Sequence, residues 1–363
     1  MYTMYADGQL LYSPDFVDEN LIVLSPYYEK EANENGSCQF DILKDNPYYS
    51  KLKELKTLIT VKDDDEEVWR GRILNTSNDF DNRKTVYCEG TLSFFVDSIM
   101  RPYSYHSKTV VEMLQILISN HNSQVEDWKK FSIGTIDIED LYGPRDWESE
   151  DYVKSKDLLN NILNDYGGYF MIGYNEKDGN TFSYVNSPGI YSSQSIEFGE
   201  NLLDVTTEVN PENIFTVLIP ISYDSEGNMI TVAPVNDGKD YIESAYGIER
   251  YGKIYSYYVF EEDISDPNIL LEKGRKYLED CLKSARNITI QAIDIHALHP
   301  DIKRVDVYDL IKVHSEPHDI DEYEMCTKVK IDLEDITQSE YVIGTLPMDL
   351  ADIVSKQDSA KKK

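Results

Sequence analysis

No stretch of the 363 residues approaches roughly eighteen consecutive apolar positions, so nothing in the sequence reads as a transmembrane helix. The N-terminus, MYTMYADGQLLYSPD, has neither the basic region nor the apolar run of a signal peptide, and synthesis in the cytosol is expected. Cysteine is scarce. Cys38, Cys88, Cys281 and Cys326 are scattered without a CxxC pair, which argues against a zinc ribbon, a redox motif and a disulfide framework. They read as small buried hydrophobes. Basic residues are also few: 35 Lys and Arg stand against 67 Asp and Glu, a formal net charge of -32. A protein that grips nucleic acid needs Lys and Arg to replace phosphate counterions, so this balance excludes that class. An acidic surface ordinarily serves solubility, but it also suits a wall past which DNA must slide without sticking.

Familiar catalytic signatures are missing as well. There is no GxSxG elbow, no HExxH helix, no GxxxxGK[ST] loop and no papain-like context around any cysteine. What is abundant is tyrosine, 28 against 3 Trp. A tyrosine ring packs while its hydroxyl stays wet, which suits exposed strand faces and interfaces. Strand edges rich in it need covering, often by another subunit.

The length exceeds the usual size of one core, and two or three packed units are expected. The first hundred residues read as strands: Met1-Tyr5 and Gln9-Tyr12 about an Asp7-Gly8 turn, then Leu21-Leu24, Ser37-Ile42, Leu58-Val61, Val68-Leu74 and Thr85-Glu89. Asn35-Gly36 and the acidic run Asp63-Asp64-Asp65-Glu66-Glu67 are the connections. That run lacks the bend glycine and distant Glu of a calcium loop and reads as a solvated hairpin tip. Near Arg101-Pro102 the period changes. Val110, Val111, Leu114, Leu117 and Ile118 recur at helical spacing after Thr109, and Leu158, Leu159, Ile162 and Leu163 form the apolar face of a second helix from Ser155 to about Asp165, stopped by Gly167-Gly168. Tyr169-Tyr174 and Thr181-Val185 flank Asp178-Gly179 as a hairpin. The middle is therefore a mixed α/β insertion.

Strands return at Leu203-Glu208, Phe215-Ser222, Met229-Val232 and Tyr255-Phe260. A helix from about Pro267 to Ala285 follows, with Asp266 as cap and Pro267 at its first position. Ile288-His296, Val307-Val313, Met325-Leu333 and Tyr341-Gly344 complete the pattern, and Ser355-Lys363 reads as a polar tail or linker. The fold class is α+β, mostly β, divided at about 1–100, 101–200, 201–350 and 351–363.

Four of the six histidines lie late in the chain, His296 and His299 as HxxH, His314 and His318 as HxxxH. A tetrahedral zinc site needs convergent ligands. HxxH falls at the end of an expected strand before Pro300, where positions three apart face opposite ways, and HxxxH spans a Ser-Glu-Pro turn, so both pairs read as surface or turn histidines. Carboxylates such as Asp137 with Glu139, or Asp294 with a partner, could serve glycoside hydrolysis, but among 67 acids some pairing is unavoidable. Gly167-Gly168 and Gly199 stand at helix-stop and turn positions, not in phosphate cradles. No catalytic, cofactor-binding or metal-ligating residue is assigned.

Several segments in order resemble the N-terminal hub region of the prophage tail endopeptidase or tail-associated lysin family. YADGQLLYSPD, LIVLSP and LKTLITVKDDDEEVWRGRILNTSNDFDNRKTVYCEGTLSFFVDSIMRPY resemble its first hub unit, and ISNHNSQVEDWKKFSIGTI its inserted unit. FGENLLDVTTEVNPENIFTVLIPISY and AIDIHALHPDIKRVDVYDLIKVHSEPHDIDEYEMCTKVKIDLEDITQSEYVIG resemble the second hub unit. The resemblance implies a virion tail-tip protein similar to the hub of contractile-phage baseplates: two β-barrel-like units per chain in a homotrimeric ring, with α/β units outside. The implied partners are the distal tail protein, tail tube or tape-measure components and spike or fibre proteins, with DNA only in passage. Lytic activity in this family generally lies beyond the hub, and the chain stops shortly after Tyr341-Gly344, so none is expected. The alternative is a tail-borne cell-wall hydrolase or endopeptidase.

Overall fold

Burial alternates from the first residues. Strand β1 (Tyr2–Ala6) buries Tyr2, Met4 and Ala6 and returns through Asp7-Gly8 into β2 (Gln9–Tyr12). Both turn residues hold positive φ, 48° and 79°, the backbone that a two-residue hairpin turn needs and Asp-Gly supplies. The computed structural model describes residues 1–16, 21–138, 140, 143–209, 214–260, 264–284, 286–292, 295–297, 299, 301–318 and 320–344. The tail at 351–363 lies outside them.

Strands β3 (Val23–Glu31), β4 (Ser37–Ile42), β5 (Leu58–Asp63), β6 (Glu66–Asn78) and β7 (Lys84–Gly90) complete the first β region. The first expected strand after the hairpin is longer than Leu21-Leu24 because a register shift between Leu24 and Tyr27, with Ser25 at φ 48°, carries the chain past Pro26. A bulge lets a strand accept a residue that cannot donate to the ladder. At the other end, Gly90 is required by close approach: a Cβ there would sit 1.9 Å from the Asn35 carbonyl oxygen.

Residue contacts divide the chain into two units, one of Met1–Asp204 with Gln291–Tyr341, the other built on Val205–Ile290. In the first, strands run in the order Ile190–Glu197, Asp309–Ser315, Ile320–Asp332, β3, β4, β7, β6, β5, β1, β2. The pairing of β3 with Ile320–Asp332, from Glu31 opposite Lys328 to Tyr27 opposite Asp332, joins the start of the chain to its end. Only Ile190–Glu197 with Asp309–Ser315 is parallel in this path, and among the described residues the path does not close on itself.

The α/β insertion belongs to the same unit. Helix α1 (Val110–Asn122) begins with a capping box in which the Thr109 hydroxyl accepts from the Glu112 N–H and the Glu112 carboxylate accepts from the Thr109 N–H. Helix α2 (Ser155–Tyr166) ends at Gly167, φ 65°. Both pack on a sheet of Phe131–Asp137, Gly179–Val185 and Tyr169–Asn175 around Phe94, Phe95, Leu117, Leu159 and Phe182. Phe131–Asp137, and the pair Tyr103–Lys108 with Arg145–Ser149, were not among the expected strands.

In the second unit Val217–Tyr223 pairs with Met229–Thr231, Ile242–Glu243 and, in parallel, Tyr255–Val259. A short helix α3 (Ala245–Tyr251) precedes that parallel strand. Helix α4 (Pro267–Ser284) covers the sheet through Leu270, Leu271, Leu278 and Leu282 against Leu218, Val232 and Ile242. Asp266 caps its start, accepting from the Asn268 N–H at 2.8 Å, with Pro267 at the first helical position as its fixed φ permits. The chain is thus mostly β with helices in both units.

Candidate functional site

The histidine pairs do not converge. His296 lies in a short 3-10 turn, Ile295–Ala297, because the expected strand ends at Ala292, so strand alternation does not describe HxxH. Its two ring nitrogens face the Asp63 carboxylate at 3.0 Å and the Ile302 carbonyl at 2.5 Å, while His299 is exposed. His314 meets Asp321 at 3.1 Å and His318 meets the Ser315 hydroxyl at 2.6 Å. Among the described residues, no three His, Cys, Asp or Glu side chains come together as metal ligands. Asp137 is exposed at the end of its strand, and its proposed partner Glu139 lies outside the described residues, as does Asp294. Gly168 and Gly199 hold φ of 85° and 87° at a helix stop and a turn. All four cysteines are buried and unbridged.

The acidic run is only partly a solvated tip. Asp64 and Asp65 are exposed, but Asp63 is buried against His296, and Glu66 grips Arg304 with both oxygens at 2.8 Å. That bond holds the Glu66 carboxyl below the ordinary carboxylate range. Sequence alone could not find these partners, since they lie more than two hundred residues away.

A Ser-His pair that spacing does not reveal sits inside the insertion. Ser98 Oγ is 2.7 Å from His121 Nδ1 and 2.7 Å from Ser155 Oγ, and His121 Nε2 is 3.1 Å from the Lys129 carbonyl. A carbonyl only accepts, so Nε2 carries the proton and Nδ1 accepts from Ser98. Ser98, His121 and Ser155 are all fully buried, with the Phe95 ring 4.5 Å from the imidazole. This geometry positions a hydroxyl beside a base yet gives a substrate no access, so it is a structural network joining α1, α2 and the segment before them. Burial, opposed by the bond to Lys129, lowers the His121 pKa. The unfolded chain takes up a proton near pH 6.5 that the fold refuses, so stability present above that value is lost as pH falls. Thermal unfolding followed from about pH 7 down to about pH 5 is expected to show a falling midpoint whose slope flattens in His121→Gln. An unchanged slope in that variant would contradict the assignment.

A second buried network centres on Arg72 of β6. Its guanidinium donates to Glu89 at 2.7 Å and grips both oxygens of Asp97, one at 3.0 Å; Lys129 Nζ donates to the second at 2.8 Å. Although burial alone would raise it, the Asp97 pKa is lowered by Arg72 and Lys129. These groups tie the first β region to the insertion.

Two exposed edges carry tyrosines. Ile190–Glu197 has one strand partner among the described residues, and Tyr191 meets Tyr323 edge-on at 5.6 Å, the two being 68% and 57% exposed. In the second unit Tyr255–Val259 has a single strand partner among the described residues, and Tyr255 and Tyr257, two positions apart on one face, are exposed. Backbone groups on such edges can pair with another chain.

Residues 190–354 match the family described as prophage endopeptidase tail. The 43 kDa tail protein of prophage MuSo2 from Shewanella oneidensis superposes with TM-score 0.67 at 13% identity, over 95% of this chain and 97% of that one. Prophage tail protein gp18 from Listeria monocytogenes gives 0.61 at 15% identity, over 100% and 99%. A chain of the Francisella PdpA-VgrG complex gives 0.51 at 9% identity, over 89% of this chain and 48% of that chain. No curated protein matches the sequence. Residues 190–354 thus carry the sequence pattern of the prophage endopeptidase tail family, on a fold shared end to end with prophage tail proteins.

Proposed function

We propose that this chain is the structural hub of a phage or prophage tail tip, three copies closing a ring that continues the tail tube. In this reading the β regions at about 1–100 and 201–350 form barrel-like segments of the ring wall. The insertion at about 101–200 lies outside it, and 351–363 leads away as a tail or linker. The ring joins the distal tail protein, tube or tape-measure components above to spike or fibre proteins below, and DNA only passes through. The observation that carries the reading is that the prophage tail fold runs through the whole chain. The exposed tyrosine-bearing edges supply surfaces for subunit contact, and the net charge of -32 suits a wall that must not bind DNA. A basic lumen in a density map of the assembled ring would remove the part of the proposal that concerns charge.

Any lytic activity is assigned outside this chain, and sustained cleavage of purified peptidoglycan by it would favour the hydrolase alternative instead. The hub itself is tested by molar mass in solution, from light scattering behind a sizing column at several concentrations. Three chains per particle is the expected result. A monomer at every concentration would refute closure by the isolated chain and move the closing energy onto neighbouring components.

A further inference from the structure

The hairpin of β6 and β7 ends in a feature that the fold does not use. Phe80 is 99% exposed at its tip, the full cost of hydrating a large apolar ring. Its loop is nevertheless ordered. Asp79 accepts through one carboxylate oxygen from the N–H groups of Asp81 at 2.9 Å and Arg83 at 2.8 Å, and its backbone bonds to Arg83 and Asn82 close the turn. Asn82 holds φ 62°, and the Arg83 guanidinium is anchored on Asp41 at 2.6 Å. The phenyl ring therefore projects from a fixed platform. Leu55 and Leu74 are exposed as well, 49% and 36%, with the Leu55 N–H donating to the Ile73 carbonyl at 2.7 Å. Leu55 holds φ 59°, a left-handed backbone that a bulky side chain seldom adopts.

We propose that the Phe80 tip is a docking knob that seats in an apolar socket, rimmed by Lys or Arg, on a different protein chain. Asp79 and Asp81, the exposed chain neighbours of Phe80, favour the basic rim. The same two carboxylates disfavour an anionic membrane, and, apart from the strand-edge contacts proposed to close the ring, a chain in which acids outnumber bases 67 to 35 offers them few basic rims. The inference rests on the hub reading, in which the partner is a neighbouring tail component.

Phe80→p-benzoylphenylalanine, carried in tails assembled by the phage or prophage that encodes the chain, tests it by photo-cross-linking and peptide mass spectrometry. The expected adduct joins position 80 to another protein at a Lys- or Arg-bearing apolar peptide. A link to a second copy, or no link in tails that contain the chain, overturns the knob while leaving the hub in place. Tails in which mass spectrometry finds no trace of the chain refute the hub reading, and the knob with it. Phe80→Ala is expected to lower incorporation into tails by about tenfold or more, as loss of an aromatic anchor does. Incorporation at the wild-type level would also overturn the proposal.

Discussion

Arg72→Ala is expected to lower the unfolding free energy by about 3–5 kcal/mol, the cost of breaking a buried ion pair by removing one partner. The side chain is 3% exposed, and its loss takes the guanidinium from Glu89 and Asp97, 14% and 25% exposed, while Asp97 keeps Lys129. The ring of Phe94, 5.5 Å from the guanidinium, loses its cation as well. Since Asp97 keeps some contact with water, the lower end of the range is the better expectation. Removing a carboxylate along with the arginine separates the two costs. Arg72→Ala combined with Glu89→Ala should recover part of the loss in a urea titration, because Asp97 keeps Lys129 at 2.8 Å and no unpaired carboxylate then stays behind. A single substitution that shifts the midpoint by less than the error would show that water reaches this network freely.

The position of Arg72 explains what could and could not be read from the sequence. Signals that act within a few residues were legible: Asp7-Gly8 made its turn, Thr109 and Glu112 capped α1, Asp266-Pro267 opened α4 and Gly167-Gly168 ended α2. Each depends on backbone geometry that one or two residues impose. Long-range pairing carries no such local mark. Nothing in the composition of β3 says that it lies beside Ile320–Asp332, and nothing in Asp63 says that it is buried beside His296. The strand Ile190–Glu197 was missed for a related reason, since it reads Tyr-Ser-Ser-Gln-Ser with little apolar alternation and is held as a parallel edge by its neighbour. Ser98, His121 and Ser155 lie 23 and 34 residues apart in steps and meet only because two helices and a turn pack together.

Phe95→Ala is the second large expectation, a loss of about 3–5 kcal/mol from a cavity the surroundings fill only partly. Phe95 is fully buried, stacked on Phe131 at 4.5 Å and set edge-on to Phe182 at 5.8 Å, and it covers the His121 imidazole. Its removal should therefore also loosen the Ser98-His121-Ser155 network, which hydrogen exchange at the α1 and α2 amides would report. Phe80→Ala deletes the same atoms fifteen residues earlier and should leave the unfolding midpoint unchanged, because a ring that is 99% exposed surrenders no burial. Hydropathy assigns the two phenylalanines equal value, whereas the fold gives one to the core and leaves the other to a partner. Equal destabilisation by the two substitutions would place Phe80 against the protein's own surface and take away its availability for docking. A stable Phe80→Ala chain that fails to enter tails would separate the residue's contribution to assembly from any contribution to folding.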